Sequence, residues 1–214
     1  PEAADHFVPE GPYVDEWEEI IINDGSTIEA RFLAGDIDLP TGLSVDKLKA
    51  EELEGESNIT VVKGTNPANY QMTLDFEKFA QHPKLREAIS LAIDRDKYMN
   101  SLLLGEGQLG SPVGPIFDSV LSQEELRGYQ QFDAARAKEL WAEGGGDDVF
   151  PDGLRTVAAT FSESAANNVN FIAKELETNL GIKVTVTPQD LAAYVAVATA
   201  RQKDWEFFMA SEAS

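Results

Sequence analysis

An α/β fold is predicted by three stretches of this 214-residue sequence. Residues 155–210 run strand, helix, strand, helix, strand. ANYQMTLDF, residues 68–76, alternates Tyr70, Met72, Leu74 and Phe76 with Asn69, Gln71, Thr73 and Asp75. HPKLREAISLAID, residues 82–94, sets Leu85, Ala88, Ile89, Ala92 and Ile93 on one helical stripe. Period two marks a half-buried strand, and three-four spacing marks an amphipathic helix. A βαβαβ order favours right-handed crossovers and parallel pairing of at least its own strands.

Taken from the N-terminus, Glu18 to Ile22 reads as a strand, and NDGS at 23–26 as a turn into a helix. Ser26 with Glu29 forms a capping-box pattern, and Gly35 closes that helix. A strand at Asp36 to Leu39 is stopped by Pro40 and Gly42, Ser44 caps an amphipathic stretch through Leu53, and Ile59 to Lys63 reads as another strand. After the strand of residues 69–76, Pro83 suits a first helical position. Asp94 then caps a second helix, Arg95 to Leu104, with Gly105 as its left-handed C-terminal residue. GEGQLGSPVGPIF, residues 105–117, is a surface or cleft loop by its Gly and Pro content. Asp133 caps a helix carrying Ala134, Ala137, Leu140 and Trp141, ended by Gly144 to Gly146. The remainder reads strand Arg155–Phe161, helix Asn167–Leu180, strand Lys183–Thr187, helix Asp190–Ala200 and strand Trp205–Ala210.

Composition narrows the function. At 43% hydrophobic the chain can bury a proper core, and one domain spanning residues 1–214 is expected. Seventeen basic against 38 acidic residues give a net charge of −21, a field that repels nucleic-acid phosphates and anionic headgroups. The charge is spread along the chain, as on a strongly solvated surface. There is no cysteine, and histidine is confined to His6 and His82, so thiolate chemistry is excluded and multi-His metal sites are poorly supplied. No run of about 18 apolar residues offers a transmembrane span. The opening PEAADHFVPEGPYVD reads as starting inside a longer protein.

The motifs with catalytic overtones each have a plainer reading. GEGQLG, residues 105–110, matches G-x-G-x-x-G, but it follows a helix and leads into Ser111-Pro112, the reverse of the context a dinucleotide site needs. Asp36 and Asp38 share a strand face, as solvated carboxylates commonly do, and GGGDDVFPDG lacks calcium-loop spacing. Ser111, Ser162 and Ser164 sit in no nucleophile elbow, and the last two suit a helix start. Asn58-Ile59-Thr60 is a glycosylation triplet next to a strand. Tyr70, Trp141 and Tyr194 are candidates for stacking on a ligand, Trp141 having the helical spacing of a core residue. No catalytic residue, metal site or cofactor is indicated.

HPKLREAISLAIDRDKYMNSLLLGEGQLGSPVGPIF resembles the V-R-x-A-[IL]-x-x-A-I-D-R-x-x-[IL] segment and following loop of the family 5 solute-binding proteins, extracytoplasmic receptors of ABC importers for peptides, nickel or other solutes. GPYVDEWEEIII, GSTIEARFLAGDIDL, YQMTLDF and QFDAARAKELWAEGG resemble further segments of that family in the same order. The resemblance implies a mixed sheet with flanking helices, one lobe of a two-lobed, periplasmic-binding-protein-like fold of the type II, peptide-binder kind. It also implies that residues 1–15 and 211–214 lead to the first lobe. A peptide or small-molecule ligand would be captured by closure of two lobes, outside the cytoplasm at the periplasm or cell surface, with a lipid anchor on the full-length protein and ABC permease subunits as partners.

Cleft contacts are expected from loops at strand ends. The candidates are Thr41 and Gly42, Asn69 and Tyr70 at the start of their strand, and Ser211 and Glu212 after the last. Peptide-binding members continue that last strand into Gly-Trp and an Asp that pairs with the peptide amino group. Here Ala210 is followed by Ser211, Glu212, Ala213 and Ser214, which leaves the ligand class open. The alternatives are a ligand-sensing domain of a signalling or transcriptional regulator with the same binding fold, and an acidic hydrolase using Asp36 or Asp38 with a metal.

Overall fold

Acidic and hydroxyl side chains start most of the helices. Asp24, Asp75, Asp94, Ser122, Asp133, Ser162 and Asp190 each accept a backbone N–H from the first turn that follows, the place where an N-cap satisfies an otherwise orphaned donor. A computed structural model describes residues 15–22, 24–40, 45–56, 59–64, 68–111, 121–160, 162–200 and 204–213. In chain order the elements are α1 (Gly25–Leu33), α2 (Lys47–Glu54), β1 (Ala68–Leu74), α3 (Phe76–Phe79), α4 (Pro83–Leu91), α5 (Arg95–Leu102) and α6 (Gln123–Tyr129). They continue as α7 (Ala134–Glu143), α8 (Gly146–Val149), β2 (Leu154–Ala159), α9 (Glu163–Leu180), β3 (Val184–Gln189), α10 (Leu191–Thr199) and β4 (Phe207–Ala213).

The chain divides into two compact units, Pro1–Glu52 and Leu53–Ser214. In the first, α1 buries Ile28, and Lys49 donates to Glu29 at 2.8 Å, linking α1 to α2. The second holds both sheets. β1 and β4 pair antiparallel from Ala68 opposite Ala213 to Leu74 opposite Phe207, and β2 and β3 pair parallel from Leu154 opposite Val184 to Ala159 opposite Gln189. α9 is the crossover between the parallel strands, and Gly181, with φ +78, ends it in the left-handed region. Gly153, with φ +79, leads into β2 so close to the Lys183 carbonyl that a Cβ there would collide with backbone.

Glu206 joins the two sheets. Its N–H donates to the Arg155 carbonyl at 2.9 Å, its carbonyl accepts the Asp75 N–H at 2.9 Å, and its carboxylate accepts from the Arg155 N–H at 2.6 Å. The same carboxylate takes the Arg155 guanidinium and Lys78 ammonium, each at 2.8 Å, while only 4% of the residue is exposed. Burial pushes the carboxyl pKa up, but the bonds from Arg155 and Lys78 outweigh it and hold the group below the usual glutamate range.

The joint between α4 and α5 is satisfied atom by atom. A helix ends with carbonyls that lack intrahelical partners. The Ser90 and Ile93 carbonyls accept from Arg95 at 3.0 and 3.3 Å, Leu91 from the Asp133 N–H at 3.0 Å, and Ala92 from Asn179 at 2.8 Å. Glu175, also of α9, accepts the Asp94 N–H at 3.3 Å and the Lys97 ammonium at 2.6 Å. Beneath the joint, Leu85, Ala88, Ile89, Ala92 and Ile93 are all buried, packed in one core with Phe79, Trp141, Phe150, Leu154, Leu176 and Phe207. The Trp141 indole N–H donates to Asp147 at 2.9 Å, so this tryptophan belongs to the core.

Several expectations are corrected. The stretches at residues 18–22, 36–39 and 59–63 form no strand among their described residues, because no neighbouring edge pairs with them; Ile21 and Val62 stand 85% and 86% exposed. Asp24, not Ser26, caps α1, since its carboxylate reaches the Thr27 N–H and both neighbouring hydroxyls. Ser44 lies outside the described residues, and Asp46 serves the start of α2 through the Lys49 N–H. The last strand begins at Phe207, runs through residues 211–213, and pairs antiparallel with β1 instead of joining β2 in parallel. Glu206 makes the difference by handing the chain from Arg155 to Asp75. α6 was overlooked although Ser122 and Glu125 form a complete capping box.

Glu206→Gln is expected to lower stability by about 2–3 kcal/mol, the range for bonds to charged groups, discounted because Arg155 can turn to solvent. In the unfolded chain Glu206 takes up its proton near pH ~4.3, and in the folded protein only further down. Its stabilisation is therefore complete above that range and lost as pH falls through and below it. Urea midpoints between pH 7 and pH 3 should show a shallower acid loss in Glu206→Gln than in the parent. Asn179→Leu, which orphans the Ala92 carbonyl, should cost about 1–3 kcal/mol in the same assay.

Candidate functional site

The C-terminal end of β2 opens into a cavity of about 230 Å³ lined by Tyr70, Ala159, Ser162, Ala165, Asn168, Val169, Tyr194 and Met209. Each side comes from a different element for a local reason. β1 carries Tyr70, half exposed, and β4 carries Met209 two rungs along the antiparallel ladder, since Tyr70 pairs with Ser211 and Met72 with Met209. β2 ends at Ala159, and Ser162 then caps α9 by accepting the Ala165 N–H at 3.2 Å. That cap points the positive end of an 18-residue helix at the cavity. α10 brings Tyr194, whose hydroxyl donates to the Met209 carbonyl at 2.8 Å and whose ring packs 4.9 Å from that of Phe208.

Deeper in, Asn168 is 3% exposed and its Oδ1 accepts the Tyr98 hydroxyl at 2.8 Å. Tyr98 stands edge-on to Phe171, and its phenol pKa is pushed up to about 12, first by burial and then by the neighbouring Tyr70. Burial also raises the Tyr194 phenol. Both hydroxyls therefore stay protonated across the physiological range and act as hydrogen-bond donors. No lining residue is charged. The cavity thus offers aromatic and aliphatic walls, a helix N-terminus and a few fixed polar atoms, which is the chemistry of reversible binding.

Of the sequence-derived site residues, four fall on adjacent rungs of one ladder: Asn69 pairs with Glu212, and Tyr70 with Ser211. Ser211 and Glu212 lie within β4 instead of beyond its end. Tyr70 lines the cavity, whereas Asn69 is buried and donates to the Ser111 carbonyl at 2.9 Å, holding the loop that follows α5. Thr41 and Gly42 lie outside the described residues. Sequence reasoning named Tyr194 as a stacking candidate and Ser162 as a helix start, but overlooked Ala159, Ala165, Asn168, Val169 and Met209. A signal existed for Asn168, a polar residue four before Ile172 on the buried stripe of α9. Residues 106–111 are non-helical, so the glycines of GEGQLG open no helix. Among the described residues no cluster of His, Asp and Glu is placed to hold a metal ion, and no helix is long and apolar enough to cross a membrane.

Residues 2–213 match the family model for bacterial extracellular solute-binding proteins, family 5 Middle. The oligopeptide-binding protein AppA of Bacillus subtilis (strain 168) is 23% identical over 222 residues, covering 96% of this chain and 39% of AppA. The chain therefore spans about two fifths of the length of that curated relative. The structure of Bacillus subtilis AppA in complex with a nonapeptide superposes with a TM-score of 0.72 at 18% identity, covering 91% of this chain and 40% of that one. DppA from Helicobacter pylori in complex with the peptide STSA gives 0.70 at 23% identity, over 90% and 36% of the two chains. AgaA from A.tumefacien R10 in complex with agropinic acid gives 0.70 at 20% identity, over 89% and 38%. These likenesses show the fold.

Ser162→Ala should cost about 1 kcal/mol by removing the α9 cap. Hydrogen exchange is expected to speed up at the Ala165 amide while the amides around Leu176 keep their protection; equal loss along the helix would contradict this placement of the cap.

Proposed function

Since this chain belongs to the family 5 bacterial extracellular solute-binding proteins, we propose that it is the ligand-binding second lobe of an ABC importer's substrate-binding protein, and no enzyme. The lobe takes one side of a peptide or a similar solute, closes on it with the first lobe of the same protein, and the loaded receptor delivers it to the permease. Closure follows only from a ligand's differential affinity for the closed state, so each lobe must present contacts that are completed on closing. The location is extracytoplasmic, with a lipid anchor on the complete protein.

One observation carries this reading: the uncharged, aromatic-walled cavity at the end of β2, assembled from both sheets and the start of α9. At about 230 Å³ it suits one portion of a ligand, smaller than the roughly 300–1,000 Å³ pockets that enclose a whole one. Tyr70 is the proposed contact on the β1 side, with Asn69 holding the loop behind it and Ser211 and Glu212 bordering it on β4. Thr41 and Gly42 remain proposed cleft residues. The peptides held by AppA and DppA favour a peptide, and the agropinic acid held by AgaA keeps other solutes within the proposed class.

Native mass spectrometry of the complete, gently purified gene product tests the proposal. A discrete co-purifying solute, released on denaturation, is expected. An empty protein that also ignores a mixed peptide library would contradict the reading. With the retained solute identified, Tyr70→Ala is expected to weaken its binding by about tenfold or more in calorimetry, as loss of an aromatic wall does.

A further inference from the structure

A few placed polar groups decide what an apolar cavity accepts. Around the cavity at the end of β2 those groups are largely committed to the protein itself. The Met209 carbonyl takes the Tyr194 hydroxyl at 2.8 Å, Asn168 Oδ1 takes the Tyr98 hydroxyl at 2.8 Å, and Ser162 Oγ takes the Ala165 N–H at 3.2 Å. Asn168 Nδ2 is closed to solvent, so that amide offers an incoming group no donor. Tyr70 is half exposed and keeps access to water. Six of the eight lining residues are left to present rings or aliphatic surface: Tyr70, Tyr194, Ala159, Ala165, Val169 and Met209.

Charge of either sign is unfavourable there. A carboxylate would lose its hydration with no lysine, arginine or histidine in the lining, inside the field of a chain whose net charge is −21. The start of α9 attracts anions, but it already holds the Ser162 cap and Glu163 in its first turn. An ammonium or guanidinium is drawn by the overall field. Inside the cavity, however, it finds no carboxylate, two acceptors already taken and the positive end of α9.

We propose that this cavity is a subsite for one uncharged, apolar side chain of the ligand, of the class of leucine, methionine or phenylalanine, and that it rejects side chains of either charge. The inference rests on the cavity being part of a ligand site. An apolar side chain leaves water for the surface of Val169, Met209 and the two tyrosines, whereas a charged one leaves its hydration without gaining a partner. At about 230 Å³ the cavity has room for a side chain and not for a whole ligand. Ala165 offers a way to change this selectivity. It is the third residue of α9, in the first turn, where an acidic side chain is favoured by the helix, and it lines the cavity.

The test exposes the complete gene product to a mixed peptide library and identifies the retained peptides by mass spectrometry. At one peptide position, apolar residues are expected to be enriched at least about tenfold over Asp, Glu, Lys and Arg together. In Ala165→Asp, checked for an unchanged melting profile, that position should turn towards Lys and Arg. No apolar enrichment at any position, or the same enrichment in Ala165→Asp, overturns this inference and leaves the binding reading standing. If Ala165→Asp fails to fold, the Met209 methyl resonance of the parent, assigned with Met209→Leu, decides. Movement on adding an enriched peptide supports the proposal, and no movement overturns it. Retention of no peptide overturns the inference, and overturns the binding reading as well if the protein also carries no co-purifying solute.

Discussion

The arrangement of the larger unit depends on one buried carboxylate. Glu206 lies where the chain leaves the edge of β2 and turns to pair with β1, and it binds both sides through backbone and side chain at once. Without it, Arg155 and Lys78 would bring two cations towards one place with nothing between them. With it, an antiparallel and a parallel ladder hold a fixed relation, and the cavity drawing residues from both keeps its shape. A buried ion pair is seldom a large net source of stability, because desolvation offsets attraction. Its value here is in registering one sheet against the other.

α9 supplies the second constraint. Most of its inner face is apolar, with Val169, Ile172, Ala173, Leu176 and Leu180 in the core, yet Asn168, Glu175 and Asn179 interrupt that face at related helical positions. Asn179 and Glu175 close the joint between α4 and α5 by pairing the Ala92 carbonyl and the Asp94 N–H. Arg95 and the cap of α7 take the remaining carbonyls, so four elements meet with their polar ends accounted for. Such a joint resists bending, as a lobe proposed to move as one body requires. The third interruption, Asn168, lines the cavity, so one helix both stiffens the unit and furnishes a wall of the cavity.

What could be read from the sequence was whatever local chemistry decides. The stripe from Leu85 to Ile93, the caps at Asp94 and Asp133, the role of Ser162 in starting a helix, the alternation through Tyr70 and the parallel pairing around α9 were all legible, because each depends on neighbours within a few residues. The antiparallel partner of β1 was not, since the contacts that seat the last strand there, the Glu206 bonds to Arg155 and Asp75 among them, join residues far apart in the chain. For the same reason, the β-rich composition at residues 18–22 and 59–63 overstated strand content: a strand needs an edge as well as a propensity. Of the cavity lining, Tyr70 was reached from its place near the start of a strand; Ser211 and Glu212 were expected beyond the last strand, whereas they lie within it on the rungs opposite Tyr70 and Asn69. Asn168 was hidden because it looked like one more polar residue on a long helix, and only its burial reveals that its donor is unused.

Two sheets and one capped helix maintain the geometry of the proposed half-site. The central claim is that the proposed ligand rests against this half-site. Crystallography of the complete protein, purified with whatever solute it retains, tests it most directly. Density for the solute should lie against Tyr70, the start of α9 and Tyr194. A well-ordered solute elsewhere, with this cavity holding only water, would contradict the account.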